Sequence, residues 1–185
     1  MPRTTFYGRK NVQVTFQPNI GLDAAARQSV VEILNLLLGD EAVLSLKTHR
    51  ADGHAGGSGG PDLQPLYDAQ YKEINDIVSE IVERVSILGG AYPSGSEELI
   101  NSARLDGKLA VAPVAMNILA DHEAFIRFLR EDAQKCSELY EDQGTFALLV
   151  SVMRLHEKMA WMLRSFIENE PVDNEGQKGI LNNDL

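Results

Sequence analysis

The sequence predicts an all-α chain, a four-helix bundle with one long crossover. Three observations lead there. Apolar residues recur at three- and four-residue steps over four long segments, glycine and proline clusters separate them, and the connections run short, long, short. From Asp23 to about Arg50, the apolar residues Val30, Ile33, Leu34, Leu37, Leu38 and Leu44 fall on one side of a helix roughly 40 Å long, with Asp23 as its N-cap. The glycines at 56, 57, 59 and 60 and then Pro61 end it. A second helix is predicted from Asp62 to Leu88, carrying Leu66, Ile74, Ile77, Ile81, Val85 and Leu88 in one stripe and ending at Gly89 and Gly90. Residues 91 to 113 read as the crossover, with a short helix beginning at Ser96. Two further helices, Val114 to Leu139 and Thr145 to Glu168, flank the polar turn "YEDQG". The bundle is thus expected over 23–168, between an extended arm at 1–22 and a mobile tail at 169–185. "NVQVTF" at 11–16 alternates like a strand but has no partner in the sequence, so it is assigned to the arm.

Composition narrows the function classes. A chain of 185 residues, 44% hydrophobic and 24% charged, can bury one sizeable core. One domain is expected. No apolar run approaches the ~20 residues of a membrane span, and "MPRTTFYGRK" lacks the apolar centre of a secretory signal, so a soluble cytoplasmic protein is expected. Cys136 is the single cysteine, which excludes an intrachain disulfide and a cysteine-rich metal site. The net charge of -10 opposes a broad phosphate-binding surface, leaving Arg3, Arg9 and Lys10 as a small basic arm.

The candidate chemistry lies on the second helix. Asp68 and Glu83 are fifteen residues apart, hence about 60° apart around the axis, with Lys72 and Ser79 between them on the same face. The apolar stripe occupies the opposite side. This polar face therefore meets solvent or another subunit. Near the end of the first helix, "THRADGH" sets His49 and His54 around Asp52, an arrangement able to ligate a metal and equally able to complement a helix C-terminus.

Four stretches, "LNLLLGDEAVLSLKTHR", "LYDAQYKEINDIVSEIVERVSILGG", "DHEAFIRFLRED" and "LHEKMAWMLRSF", resemble in order the four helices of the Dps family, the mini-ferritins of the ferritin-like superfamily. The resemblance covers most of residues 30–167. It implies a dodecameric shell that oxidises ferrous iron with hydrogen peroxide or oxygen, stores ferric mineral inside, and protects against oxidative stress. It further implies an oxidation site at a dimer interface, with ligands from the first helix of one subunit and the second helix of its partner, and a di-iron centre there. The family's second-helix ligand spacing falls on Gln64, Asp68, Ser79 and Glu83, and its first-helix histidine and following tryptophan fall on Asp52 and Gly53. Two carboxylates match. Asp52, Asp68 and Glu83 are accordingly the expected catalytic carboxylates, with His49 and His54 as alternative nitrogen ligands and zinc as a competing metal. By family position, Glu141 and Asp142 are candidates for an acidic iron-entry pore. His122, His156, Trp161, Met159 and Met162 are assigned to packing. DNA binding is expected to be weak or absent. The alternative reading is a Dps-like shell whose substituted oxidation site has lapsed, leaving a structural, zinc-buffering or DNA-associated role.

Overall fold

In the computed structural model, residues 18–52, 63–93, 95–108 and 114–169 are described. The alternating 11–16 segment, Gly53, His54 and the tail from 170 onward lie outside them. Helix α1 spans Ala24–Asp52, α2 Gln64–Ile87, α3 Ser96–Ser102, α4 Val114–Glu138 and α5 Gln143–Asn169, and no strand occurs among the described residues. The all-α class and the short helix in the crossover agree with the sequence reading.

The helix ends have local causes. Asp23 caps α1, its carboxylate accepting the Ala26 amide at 2.7 Å. Helix α2 begins at Gln64, just after the predicted Asp62, with Leu63 as a cap residue that offers no side-chain bond and Pro65 in the first turn. At its other end Gly89 turns left-handed at φ 75°, its amide bonding the Ser86 carbonyl while that of Gly90 bonds Val85. That pair of bonds is a Schellman closure, and it stops the helix where the glycines predicted it.

Helix directions follow from contacts of increasing and decreasing residue number. His49 meets Tyr71 while Asn35 meets the Ala91 carbonyl, so α1 and α2 are antiparallel. Gln70 reaches Met159 and Arg84 reaches Thr145, which sets α2 antiparallel to α5. Lys47 pairs with Asp121, while Asp40 is joined through Arg104 to Asp132, which sets α1 antiparallel to α4. Hence α2 and α4 run parallel. The chain between them must traverse the length of the bundle, and α3 lies in that crossover, against α1. The approach is close: a Cβ on Gly39 would sit 2.6 Å from Ser102 Oγ and 2.7 Å from the Leu99 carbonyl oxygen.

Leu34, Leu37, Leu44, Ile74, Ile81, Phe125, Leu129 and Leu149 are fully enclosed where the four long helices face each other. The crossover is fastened to this core by charge. Asp40, inside the bundle, accepts from the Arg104 and Leu105 amides at 2.7 and 3.0 Å and from the Arg104 guanidinium at 2.7 Å. Arg104 also donates to Asp132 at 2.7 Å and lies over the Phe128 ring. The buried carboxylate is thus compensated on both oxygens, which removes the large cost of isolating a charge in a core.

Candidate metal sites

The outer face of α2 is as the spacing predicts. Asp68, Lys72, Asn75, Asp76, Ser79, Glu80 and Glu83 are exposed, while Ile74, Ile77, Ile81 and Val85 are buried on the other side. Ser79, standing at a family carboxylate position, directs its hydroxyl to the Asn75 carbonyl at 3.0 Å. His49 is exposed in the last turns of α1 and stacks on Tyr71 with ring centroids 4.8 Å apart. Tyr71 follows Asp68 by three residues on α2, so the α1 terminus lies beside the Asp68 end of the acidic face. Asp52 is the final residue of α1. Among the described residues no three histidine, cysteine or carboxylate side chains gather into a formed metal centre within one chain.

The acidic turn before α5 divides. Glu141 is exposed, with φ 54°, a conformation side chains rarely adopt. Asp142 is buried. Its carboxylate accepts from the Thr145 amide at 2.9 Å, the Thr145 hydroxyl at 2.5 Å and the Arg84 guanidinium at 2.6 Å, so it caps α5 and ties it to the end of α2. Burial works to raise its pKa, but the bonds from Arg84 and Thr145 outweigh burial and hold it below the usual carboxylate value. Those bonds also start α5 at Gln143 rather than at the predicted Thr145. Nearby Cys136 is enclosed, and burial pushes its thiol up to about 12, so it is not an activated nucleophile.

A second polar group lies where packing alone was expected. Glu41 of α1, His122 of α4 and His156 of α5 are each fully buried. His156 Nε2 is 3.0 Å from Glu41 Oε1, and its Nδ1 is 2.9 Å from His122 Nδ1. The far ends of this chain, Glu41 Oε2 and His122 Nε2, have no hydrogen-bond partner, nor does the nearby α2 atom Gln70 Oε1, although Gln70 Nε2 donates to the Met159 carbonyl. Burial raises the Glu41 carboxyl well above its ordinary value, with Asp40 adding to the effect. Burial also lowers both imidazoles, His156 to about 3 against a partial counter-effect from Glu73 of α2. Burial thus works against an ion pair between Glu41 and His156. His122 lies in the stripe Ile118, His122, Phe125, Leu129, and His156 in Leu149, Val152, His156, Met159, Leu163, all buried. A polar residue inside an apolar stripe was the available sequence signal. Met159 packs inside, and Trp161, expected in core or interface packing, is 60% exposed on the single chain.

The ferritin-like domain profile matches residues 31–171. A low-temperature-induced protein of Nostoc sp., itself uncharacterised, is 37% identical over 163 residues, covering 85% of this chain and 90% of that protein. "DNA protection during starvation protein 2" of Bacillus anthracis is 27% identical over 144 residues, 76% of this chain and 97% of that one. Among solved structures, DpsC from Streptomyces coelicolor superposes with a TM-score of 0.77 at 23% identity, covering 90% of this chain and 99% of that one. With its five helices in this order and its match to both the domain and its starvation-protein members, the chain belongs to the Dps family of the ferritin-like superfamily.

Proposed function

We propose that the protein oxidises ferrous iron at the outer face of α2 and stores the ferric product within a shell of twelve subunits, removing hydrogen peroxide or oxygen as it does so. The observation that carries this reading is the exposed pair Asp68 and Glu83, with His49 held against Tyr71 beside the Asp68 end of the face. Two such faces brought together at a dimer interface would supply carboxylates from α2 of one subunit and the α1 terminus, with Asp52 and either His49 or His54, of the other. Iron is the substrate here. Carboxylate oxygens are hard donors that favour the ferric over the ferrous ion, so each of two ferrous ions yields one electron more readily, and together they reduce one peroxide, with two protons, to two waters. Pairing the two electrons avoids release of a hydroxyl radical. Zinc would compete for a mixed imidazole and carboxylate site.

Assembly agrees with the surface. Trp161, Met116, Ile87, Leu139 and Leu46 are large apolar side chains left exposed on the single chain. Light scattering should give about twelve times 20.4 kDa. A stable monomer would remove the interface on which the site depends. Cytoplasmic location fits this role, and among the described residues no helix is long and apolar enough to cross a membrane. DNA binding is proposed to be weak, since a chain of net charge -10 repels phosphate. A mobility shift at ~150 mM salt tests it.

One observation favours the lapsed-site reading, a shell with a structural or zinc-buffering role. The hydroxyl of Ser79 stands in place of a ligand carboxylate and is engaged with its own helix. Stopped-flow oxidation of ferrous iron separates the two. Turnover in the parent that is lost in Asp68→Asn supports an iron-oxidising site, and a parent no faster than buffer supports the lapsed one. Comparing His49→Ala with His54→Ala then identifies the nitrogen ligand, whose loss should slow oxidation ~10 to 100-fold and weaken zinc inhibition.

A further inference from the structure

We propose that Lys72 is a specificity-determining residue of the oxidation site, its ammonium standing where a second iron would be held, so that each site keeps one ferrous ion firmly and meets the other only in passing. The inference rests on the reading of the α2 face given above. It adds a residue that the reading leaves unused.

Position comes first. Asp68 and Glu83 are fifteen residues apart on one helix, hence about 22 Å apart along its axis, too far to hold one ion within a chain. They meet only between chains. When two α2 faces pack about a two-fold axis that crosses them, the helices run antiparallel, and Asp68 of one subunit lies opposite Glu83 of the partner subunit. Four residues inward from each end, Lys72 then comes opposite Ser79 of the partner subunit. Symmetry repeats the pair on the far side of the axis.

Both members of this inner pair depart from a two-ion site in the same direction. Position 79, where the family spacing calls for a carboxylate, carries a hydroxyl that donates to the Asn75 carbonyl at 3.0 Å. Opposite it stands a cation. Lys72 is exposed, and although Asp68 and Asp76 flank it four residues to either side, no hydrogen bond or ion pair holds its ammonium among the described residues. Its flexible four-carbon stem lets that charge swing toward Asp68 and the partner's Glu83. A second divalent ion at this level meets a like charge and lacks an anionic donor, whereas the first, at Asp68 and the α1 terminus, keeps its ligands. In the iron-free site the same ammonium offsets the repulsion between the carboxylates. Peroxide reduction then begins when a second ferrous ion arrives beside the first, the two ions, one peroxide and two protons giving two ferric ions and two waters.

Binding, rather than turnover, tests this. Assembled full-length protein, freed of metal, is titrated with ferrous iron alone under anaerobic conditions by calorimetry. The expected result is about one tightly bound ion per chain, lost in Asp68→Asn and rising to about two in Lys72→Ala/Ser79→Asp, which removes the cation and restores the carboxylate. Lys72→Gln, which keeps the length of the side chain and loses only its charge, should by itself tighten the second ion at least ~10-fold. Two equally tight ions per chain in the parent overturn the role of Lys72 and leave the α2 face as the oxidation site. Unchanged binding in assembled Lys72→Gln does the same. No tight ion in the parent, or one that Asp68→Asn retains, overturns the α2 reading as well, and the parent titration depends on no variant folding.

Discussion

The outer face of α2 and the centre of the bundle both combine carboxylates with imidazoles, yet water treats them differently. On the face, Asp68, Glu83 and His49 are exposed and able to meet a second chain. At the centre, Glu41, His122 and His156 are sealed, and burial is the main cause that shifts each toward its neutral form. The first arrangement suits a site that must admit ions and an oxidant repeatedly and release product. The second suits a fixed, enclosed hydrogen-bonded group. Similar donor atoms are thus sorted into a reachable face and a closed core by solvent access.

Substitution should separate the two regions. The largest effect expected is on catalysis: Asp68→Asn should reduce ferrous oxidation by at least tenfold while leaving thermal stability within ~0.5 kcal/mol, as measured by stopped-flow and calorimetry. A comparable loss of both would mean the face also holds the shell together. At the centre the pattern should invert. Glu41→Ala removes the partner of a buried imidazole and leaves a void, at a cost of about 3 kcal/mol, with oxidation at the face within twofold of the parent. A tenfold loss of turnover there would merge the two regions into one functional unit.

The corner between α4 and α5 gives a smaller, pH-dependent effect. Because Asp142 is held below the ordinary carboxylate value in the folded state, its contribution is complete above that ordinary value and is lost as pH falls through the lowered folded value. Asp142→Asn should therefore cost about 1–3 kcal/mol at pH 7, and the gap to the parent should close in strong acid. A gap that is constant with pH would show that the charge on Asp142 contributes nothing. Smallest is Glu141→Gly. Relief of the left-handed backbone at φ 54° should raise stability by about 1 kcal/mol. If it also slows iron uptake, that would support the proposed role of Glu141 in an acidic iron-entry pore.

Much of this was legible in the sequence for a physical reason. The long helices announce themselves because three- and four-residue spacing is local, and Asp23, Gly89 and Gly90 mark ends through bonds made within a few residues. The α2 face was legible on the same ground. Boundaries moved where a tertiary bond decided them, as when Asp142 drew the start of α5 forward to Gln143. The central trio and the Asp40 to Arg104 connection were not visible, since they join residues separated by 115 and 64 positions and depend on how helices register against one another. His122 and His156 sat in apolar stripes, and that misfit was the one local sign.

The fastening of Arg104 onto Asp40 and Asp132 also sets an order of events. Helices α1 and α2 form one hairpin and α4 and α5 another, each closing a short loop, whereas Arg104 can grip both aspartates only when α1 and α4 already lie side by side. If the grip forms after the barrier, Arg104→Ala should speed unfolding more than it slows folding, which stopped-flow kinetics would read. Interactions made after the barrier slow escape from the native state without hastening arrival. On that outcome the crossover is a kinetic latch, its strength read in how long a subunit stays folded rather than in how fast it folds.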